Sequence, residues 1–476
     1  MSARPMTPPA ASSDLLPRRV AVLGFERSGR ALADALLARG VSVSVGDRRD
    51  ASEFPGLAPF RERGVRFFFG GPPDSFLEGA DWLAVSPGVP MDSAAVSTAR
   101  ARGIAVLAEL EIAWRIAEAE APGRNRWIAV TGTNGKSTTT TWIAEMLERA
   151  GRPAALAGNI GAPLSGFLGE AGGRDFVCEV SSFQLEGVER FRADVAVLTN
   201  VTPDHLDRYP SFAAYASAKA RLFALQSSGD VAVVNADDAA SARIPVRARR
   251  LLFSRRGRPV GPGAWLEEGA IWSDASGSRR LVLEAGRLSL PGAHNAENAL
   301  AAVAAAESLG VPAEAISAAL TEFRGLPHRT QLVAEGAGVR WVDDSKGTNV
   351  DATSKSLEGF PPSSVLLILG GRDKHGDFGA LRPVVQRAAR RILTIGEAAK
   401  AIEKALAGAA AIERCETMET AVSRAAALAR PGDTVLLSPA CASFDQYRNY
   451  EERGNHFADL AGAVVARQQD PGSSRG

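Results

Sequence analysis

The chain has 476 residues, 45% hydrophobic and 23% charged, which is the balance of a globular protein too long for a single core. Lys and Arg number 55 against 54 Asp and Glu. The resulting net charge of +1 supplies no global electrostatic argument for nucleic acid or an anionic membrane as partner, so an anionic ligand must be held by local groups. Cys178, Cys415 and Cys441 are odd in number and lack metal-type spacing, and reduced thiols in a cytoplasm are expected. The N-terminus has no continuous apolar stretch and ALAAVAAA (299–306) is too short to span a bilayer, so neither a secretion signal nor membrane insertion is expected.

In chain order, RRVAVLGFERSGRALADALLARGVSVSVGD (18–47) reads strand, Gly turn, amphipathic helix, a stop at Gly40, and strand. WLAVSPGVP (82–90) adds another strand. A second set of strands runs through RWIAVTG (126–132), FVCEV (176–180), VAVLTNV (195–201) and VAVVNAD (231–237), with helical stretches between them. Such alternation predicts mostly parallel sheets covered by helices, an α/β fold. The short alternating runs of 266–292 predict a small antiparallel addition, and a helix starts near His294. A third αβ set comprises GVRWVDDS (338–345), SSVLLILGG (363–371), RILTIG (391–396) and DTVLLSPA (433–440). Three domains are expected, over 1–112, 113–325 and 326–476: Rossmann-like, P-loop ATPase-type and Rossmann-like.

TGTNGKSTTTTW (131–142) lies between a strand and an apolar helix, the arrangement that offers backbone N–H groups and a helix N-terminus to phosphate. Gly132, Thr133, Asn134 and Gly135 form the loop, Lys136 would reach the outer phosphates, and Ser137 or Thr138 would supply a hydroxyl for Mg²⁺. Val130 stands where the general GxxxxGK[ST] pattern has its first glycine, so the loop is a compact variant. A tight turn with an incidental lysine is the plainer reading of GKST alone.

TGTNGKST resembles the loop shared by the Mur ligases of peptidoglycan synthesis and the folylpolyglutamate synthetases. The likeness continues in matching order through GNIG (158–161), EVSSFQLE (179–186), NVTPDHLDRYPSF (200–212), AKARLF (218–223), NADD (235–238) and GAHNAENALAA (292–302). GLPHRTQLV (325–333), DDSKGTNVDAT (343–353), LGGRDKHGDF (369–378) and LSPACASFDQYRNYEERGNHF (437–457) complete it. DDSKGTN and SPACASFDQ look like the Mur ligase branch that adds D-glutamate to UDP-N-acetylmuramoyl-L-alanine. An Asp-Asn-Pro-Arg motif of the diaminopimelate-adding branch is not found, and a folate ligase, the alternative, should lack the SPACASFDQ block.

The resemblance implies ATP-dependent carboxylate activation, with an acyl phosphate attacked by the amino acid to give a tetrahedral intermediate and then amide, ADP and phosphate. Mg²⁺ would be held near Ser137, Glu179 and His205, and by Lys219 once carbamylated; a solvated helical lysine is the plain reading of Lys219 without the resemblance. Asn159 resembles the residue near the substrate carboxylate. Asn295 and Asn298 fit the adenine end of ATP, and Arg329 and Asp344 its ribose and phosphates. Lys346, Thr348, Lys374, Ser443 and Phe444 resemble the D-glutamate pocket, whose two carboxylates need cations and N–H or hydroxyl donors. A monomer is expected.

The turn GFERSG (24–29), with Asp47 ending the next strand, approximates a dinucleotide fingerprint. Glu26 replaces its second glycine, which obstructs approach of a pyrophosphate and adds repulsion, so NAD is disfavoured. The resemblance assigns this domain to the UDP of the substrate instead, with Arg27, Ser28, Asp47, Arg49, Ser86 and Gly88 at matching positions.

Overall fold

Runs of Val, Leu, Ile and Ala closed by glycine turns form the strands of three separate sheets in the computed structural model, which describes residues 16–169, 173–290, 292–323 and 325–469. The first sheet contains β1 (Arg19–Leu23), β2 (Ser42–Gly46), β3 (Arg66–Phe68), β4 (Trp82–Val85) and β5 (Ala105–Ala108). All neighbours are parallel, in the order β3-β2-β1-β4-β5. The helix Arg27–Leu37 buries Leu32, Ala33 and Leu36. Because the chain leaves β1 toward β2 on one side and returns at β4 on the other, a crevice opens at the C-terminal ends of β1 and β4.

The second sheet contains β6 (Arg126–Thr131), β7 (Ala154–Gly158), β8 (Asp175–Glu179), β9 (Val195–Leu198), β10 (Val231–Asn235), β11 (Arg249–Ser254), β12 (Gly263–Glu267), β13 (Ala270–Ser273) and β14 (Arg280–Glu284). Its order is β14-β13-β12-β11-β10-β9-β6-β8-β7, parallel from β7 to β12. The expected antiparallel addition is the β12–β13 pair with β14 outside it, and it starts at Gly263. β6 is fully buried along Trp127–Thr131 and lies between β8 and β9, so its C-terminal end is again a switch point.

The third sheet contains β15 (Gln331–Gly336), β16 (Val339–Asp343), β17 (Val365–Gly370), β18 (Ala389–Ile395), β19 (Ala411–Glu416) and β20 (Thr434–Leu437). Its order is β15-β16-β20-β17-β18-β19, with β15 antiparallel and the others parallel. Alternation along β17 sends Leu367 and Leu369 into one core and Leu366 and Ile368 into another, so the sheet is covered on both faces.

The chain forms two compact units. Of the described residues, one holds those up to 200 with 216–283 and 298–319; the other holds those in 201–215, in 284–297 and from 320 onward. Within the first unit, the helix Glu109–Glu120 joins the first sheet to β6. Glu111 on this helix is fully buried and accepts hydrogen bonds from Arg115 Nε (2.7 Å) and from the backbone N–H groups of Glu189, Arg190 and Phe191 (3.1, 3.0 and 2.8 Å). A carboxylate out of water persists only with donors of this number and quality, and here they tie the two sheets together.

Candidate active site

The loop after β6 is shaped by how close its backbone comes to its neighbours. Gly132 (φ 149°) and Gly135 (φ 82°) have conformations that L side chains rarely adopt. A Cβ on Gly132 would lie 1.9 Å from Thr199 Oγ1, and one on Gly135 would lie 2.0 Å from Asn298 Oδ1. The loop tip is tied to the end of β9: Thr133 N–H donates to Asn200 O (2.8 Å), Asn134 N–H to Asn200 Oδ1 (2.9 Å), and Thr199 Oγ1 to Asn134 O (2.6 Å). The helix Lys136–Arg149 starts at once, so its N-terminus faces the loop, with Ser137 and Thr138 buried in its first turn.

Two amines converge here. Lys136 Nζ donates to Gly132 O (2.9 Å) and Thr133 O (2.7 Å), and Lys219 Nζ donates to the same Gly132 O (2.7 Å). Lys219 lies on the helix Phe212–Ala224 and is only 2% exposed, so the plain reading of a solvated helical lysine does not hold. Ser137 Oγ donates to Glu179 Oε2 (2.5 Å), and Asn159 Nδ2 donates to Glu179 Oε1 (2.7 Å). Glu179 ends β8 and is 1% exposed. The result is a hydrogen-bonded chain from the buried Ser137 hydroxyl and Glu179 carboxyl to the exposed Asn159 carboxamide, beside two lysine amines at a helix N-terminus.

In the first sheet, Ser86 Oγ donates to Gly24 O (2.9 Å), and Phe25 N–H donates to Asp47 Oδ2 (2.9 Å). Gly29 is required because a Cβ there would lie 2.1 Å from Gly24 O. Arg49 forks onto both oxygens of Asp47 (3.2 and 3.1 Å), lies 4.4 Å above the Phe54 ring and pairs with Glu26. Burial pushes the Asp47 carboxyl up, but Arg49 and the Phe25 N–H outweigh it and hold it below its ordinary value. Arg27 and Gly88 are exposed at the crevice and Ser28 is half-buried.

In the third sheet, the segments after β16, β17 and β20 share one edge because those strands are parallel. Asp344 accepts from Ser438 Oγ (2.7 Å) and Thr330 N–H (3.3 Å); burial raises its pKa to about 6, against Ser438 and the nearby Arg329 charge. Lys346 Nζ lies 4.9 Å from the Tyr450 ring, and Thr348 N–H donates to Lys346 O (2.9 Å). Lys374 Nζ donates to Asp204 Oδ1 (2.9 Å), and Asn349 Nδ2 donates to Asp204 Oδ2 (2.9 Å). Burial raises the Asp204 pKa, but Lys374, His205 and Asn349 outweigh it and hold it at about 2. His205 has a φ of 55°, and its N–H donates to the Asp204 carboxylate (2.9 Å). Ser443 is buried, and Phe444 beside it is 61% exposed. Asn295 is half-buried in the first turn of the helix Ala293–Ser308.

Three family models match in succession: the Mur ligase MurD-like N-terminal domain over 18–108, the Mur ligase middle domain over 130–306, and the Mur ligase glutamate ligase domain over 328–441. A UDP-N-acetylmuramoylalanine–D-glutamate ligase from Anaeromyxobacter dehalogenans is 45% identical over 463 residues, covering 95% of this chain and 99% of that one. The chain belongs to the Mur ligase family. A second relative with the same name, from Acidobacterium capsulatum, is 42% identical over 457 residues and covers 94% of this chain and 96% of its own. Among solved structures, the fold is shared with a UDP-N-acetylmuramate-alanine ligase from Thermotoga maritima (TM-score 0.58, 20% identity, covering 94% of this chain and 99% of that one). It is also shared with MurF ligase from Thermotoga maritima in complex with ADP (TM-score 0.59, 18% identity, covering 90% of this chain and 96% of that one).

In this Mur ligase the expected residues fall into separate clusters. Lys136, Lys219, Ser137, Glu179 and Asn159 meet around the β6 loop, and Asn298 packs on Gly135. Sequence reasoning passed over Thr199 and Asn200, which anchor the loop, and Asp204, which receives Lys374. It also passed over His328, whose Nδ1 lies 2.6 Å from Asp343 Oδ2, and over Arg453, which is 1% exposed and bonds to Ser345 and Cys441. Asp204 stands next to His205 in the motif, so a charged neighbour was the available signal; for Arg453 the signal was its place in the block 437–457. For a metal, Ser137 and Glu179 present hard oxygen donors side by side, which suits Mg²⁺, an ion that otherwise keeps phosphate and water oxygens.

Proposed function

We propose that this ligase adds D-glutamate to UDP-N-acetylmuramoyl-L-alanine in peptidoglycan precursor synthesis, with ATP converted to ADP and phosphate. The observation that carries the reading is near-full-length identity of 45% to a ligase of that name, over 95% of this chain. Supporting it are the phosphate loop and the basic and hydroxyl side chains at the third sheet's edge.

Joining a carboxylate to an amine in water requires an activated acyl group. In this reading the γ-phosphate lies on the loop Gly132–Thr138, where Lys136 and the helix N-terminus meet its charge. Glu179, Ser137, His205 and carbamylated Lys219 serve Mg²⁺, which neutralises phosphate charge when bound. Carbamylation needs a neutral amine, which burial of Lys219 favours. Asn159 orients the substrate carboxylate. Asn295, Asn298, Arg329 and Asp344 hold the rest of the nucleotide. Arg27, Ser28, Asp47, Arg49, Ser86 and Gly88 receive the UDP portion, and Lys346, Thr348, Lys374, Ser443 and Phe444 receive D-glutamate. The free amine of D-glutamate then attacks the acyl phosphate, and the tetrahedral intermediate collapses with loss of phosphate. Domains over 1–112, 113–325 and 326–476, a monomeric state and a cytoplasmic location accompany the reading.

The test is incubation with ATP, Mg²⁺ and UDP-N-acetylmuramoyl-L-alanine, with and without D-glutamate, following phosphate release and product mass. Phosphate release dependent on D-glutamate, with product heavier by one glutamyl residue, is expected. Release that ignores D-glutamate, or that follows L-glutamate equally, would overturn the assignment.

A further inference from the structure

The near-zero net charge of the whole chain conceals a local imbalance. Residues 243–283 carry nine arginines (243, 247, 249, 250, 255, 256, 258, 279 and 280) against three acids, Glu267, Glu268 and Asp274. This is a local excess of six positive charges in a chain of net charge +1, so the remaining residues sum to −5. They lie toward the β14 end of the second sheet, in and around β11–β14: Arg243, Arg247 and Arg249 precede or open β11, whereas Arg255, Arg256 and Arg258 follow its C-terminal end, three strands along from β6.

Contacts gather part of the set. Arg258 lies 5.1 Å and Arg279 5.6 Å from the Trp265 ring, and Arg279 also covers Trp272 at 4.6 Å. Arg258 pairs with Asp274 (2.7 Å), and Arg249 donates to Ala275 O (3.3 Å) on the same turn. Seven of the nine are exposed, Arg250 and Arg280 being half-buried. The loop from β11 to β12 displays Arg255, Arg256 and Arg258, and its Val260 is 100% exposed, between Pro259 and Pro262. That loop and the turn at Asp274–Gly277 wall a shallow depression of about 550 Å³. Leu281 on the edge strand β14 is 47% exposed.

We propose that the β11–β12 loop, with Arg279 and the turn at Asp274–Gly277 beside it, is a docking surface for an anionic phospholipid bilayer, holding the ligase peripherally at a membrane without insertion. Guanidinium groups match lipid phosphate in charge and geometry, and a negative bilayer surface attracts each nearby basic residue. Nucleic acid is also anionic, but single-stranded recognition uses exposed aromatic platforms. Here Trp265 is fully buried and Trp272 lies beneath Arg279, while the exposed groups at the loop tip are aliphatic. An aliphatic tip among arginines suits the boundary between headgroups and acyl chains.

The full chain is tested by co-sedimentation with vesicles of phosphatidylglycerol and phosphatidylcholine in equal parts, against phosphatidylcholine alone. Binding to the anionic vesicles only, weakened at least about tenfold by raising salt from 0.05 to 0.5 M, is expected. Arg255→Ser/Arg256→Ser/Arg258→Ser should lower the affinity at least about tenfold, and Val260→Ser by a few-fold, with ligase turnover in solution unchanged in both. Failure to bind anionic vesicles at low salt, or equal binding by the triple variant, would overturn the proposal. So would tighter binding to a uridine homopolymer than to the vesicles, which would make the face a nucleic-acid surface.

Discussion

The turn after β1 and the turn after β6 are both strand-to-helix connections at a switch point of a parallel sheet, yet they present opposite surfaces. After β6, glycines at Gly132 and Gly135 let the backbone lie against Thr199 and Asn298, and two amines share one carbonyl. After β1, Glu26 occupies the place of a second glycine, and its carboxylate pairs with Arg49, which also grips Asp47. The same topology therefore makes the proposed phosphate cradle in one place and a charge-neutralised crevice in the other. The residues at the turn decide the chemistry, not the fold around them.

The largest expected effect tests the cradle. Lys136→Ala should lower ATP-dependent turnover at least about a thousandfold while the melting midpoint moves by no more than a few degrees. Substantial activity in that variant, in a phosphate-release assay, would break the contrast between the turns. Gly135→Ala is next: strain at φ 82° and the clash with Asn298 should weaken ADP binding by about a hundredfold in calorimetry, with about 1–3 kcal/mol lost in stability. Unchanged ADP affinity would mean that close backbone approach is not what the glycine provides.

Two strand-end aspartates extend the comparison to pH. Asp47 at the first crevice is held below its ordinary value, mainly by Arg49 against burial, whereas burial raises Asp344 to about 6. A carboxyl whose pKa is raised on folding binds its proton more tightly in the folded state, so it contributes stability at low pH that is lost as pH rises through the folded value. Unfolding free energy should therefore fall by a few kcal/mol between about pH 4 and 6, and Asp344→Asn should remove that slope in urea titrations. A slope that persists in the variant would assign it to another group. Asp204, held at about 2, acts in the opposite sense and below that window, losing its contribution as pH falls toward 2.

The smallest effect concerns Glu26. Its side chain is 69% exposed, so its pair with Arg49 adds little stability and can be removed at small cost. Glu26→Gly should tighten UDP binding by a few-fold, since it frees Arg49 and removes a like charge. Weaker binding would show instead that Glu26 orients Arg49 for the ligand.

Much of the fold was readable from apolar runs of four to seven residues. β4, β8, β9, β10, β17 and β20 are buried along their whole length, and β1, β6, β16 and β18 are interrupted only at Arg19, Arg126, Arg340, Arg390 and Arg391. Among the strands that escaped the pattern, which include β3, β5 and β11, three have a physical reason for doing so. β19 (AIERCE) and β15 (QLVAEG) are edges with mostly exposed or half-buried residues, and β7 (AALAG) is an edge built of small side chains. Of the site, the loop TGTNGKST stood out because its glycines and lysine lie between an apolar strand and an apolar helix. The partners that shape the loop did not, because Thr199, Asn200 and Asn298 are ordinary polar residues until the fold brings them to it.

By itself, then, the sequence determined the α/β class, the positions of the TGTNGKST loop and the first Gly turn, and, through ordered motifs, the family. Those follow from local rules of periodicity, glycine conformation and helix starts, which act over a few residues. Tertiary structure decided that Lys219 is buried against Gly132, that Glu179 joins Ser137 to Asn159, and that Lys374 meets Asp204. It also decided that arginines spread over 41 positions in a nearly neutral chain collect around four adjacent strands. Contacts between residues far apart in the chain depend on which strands lie side by side, and no local pattern encodes that order.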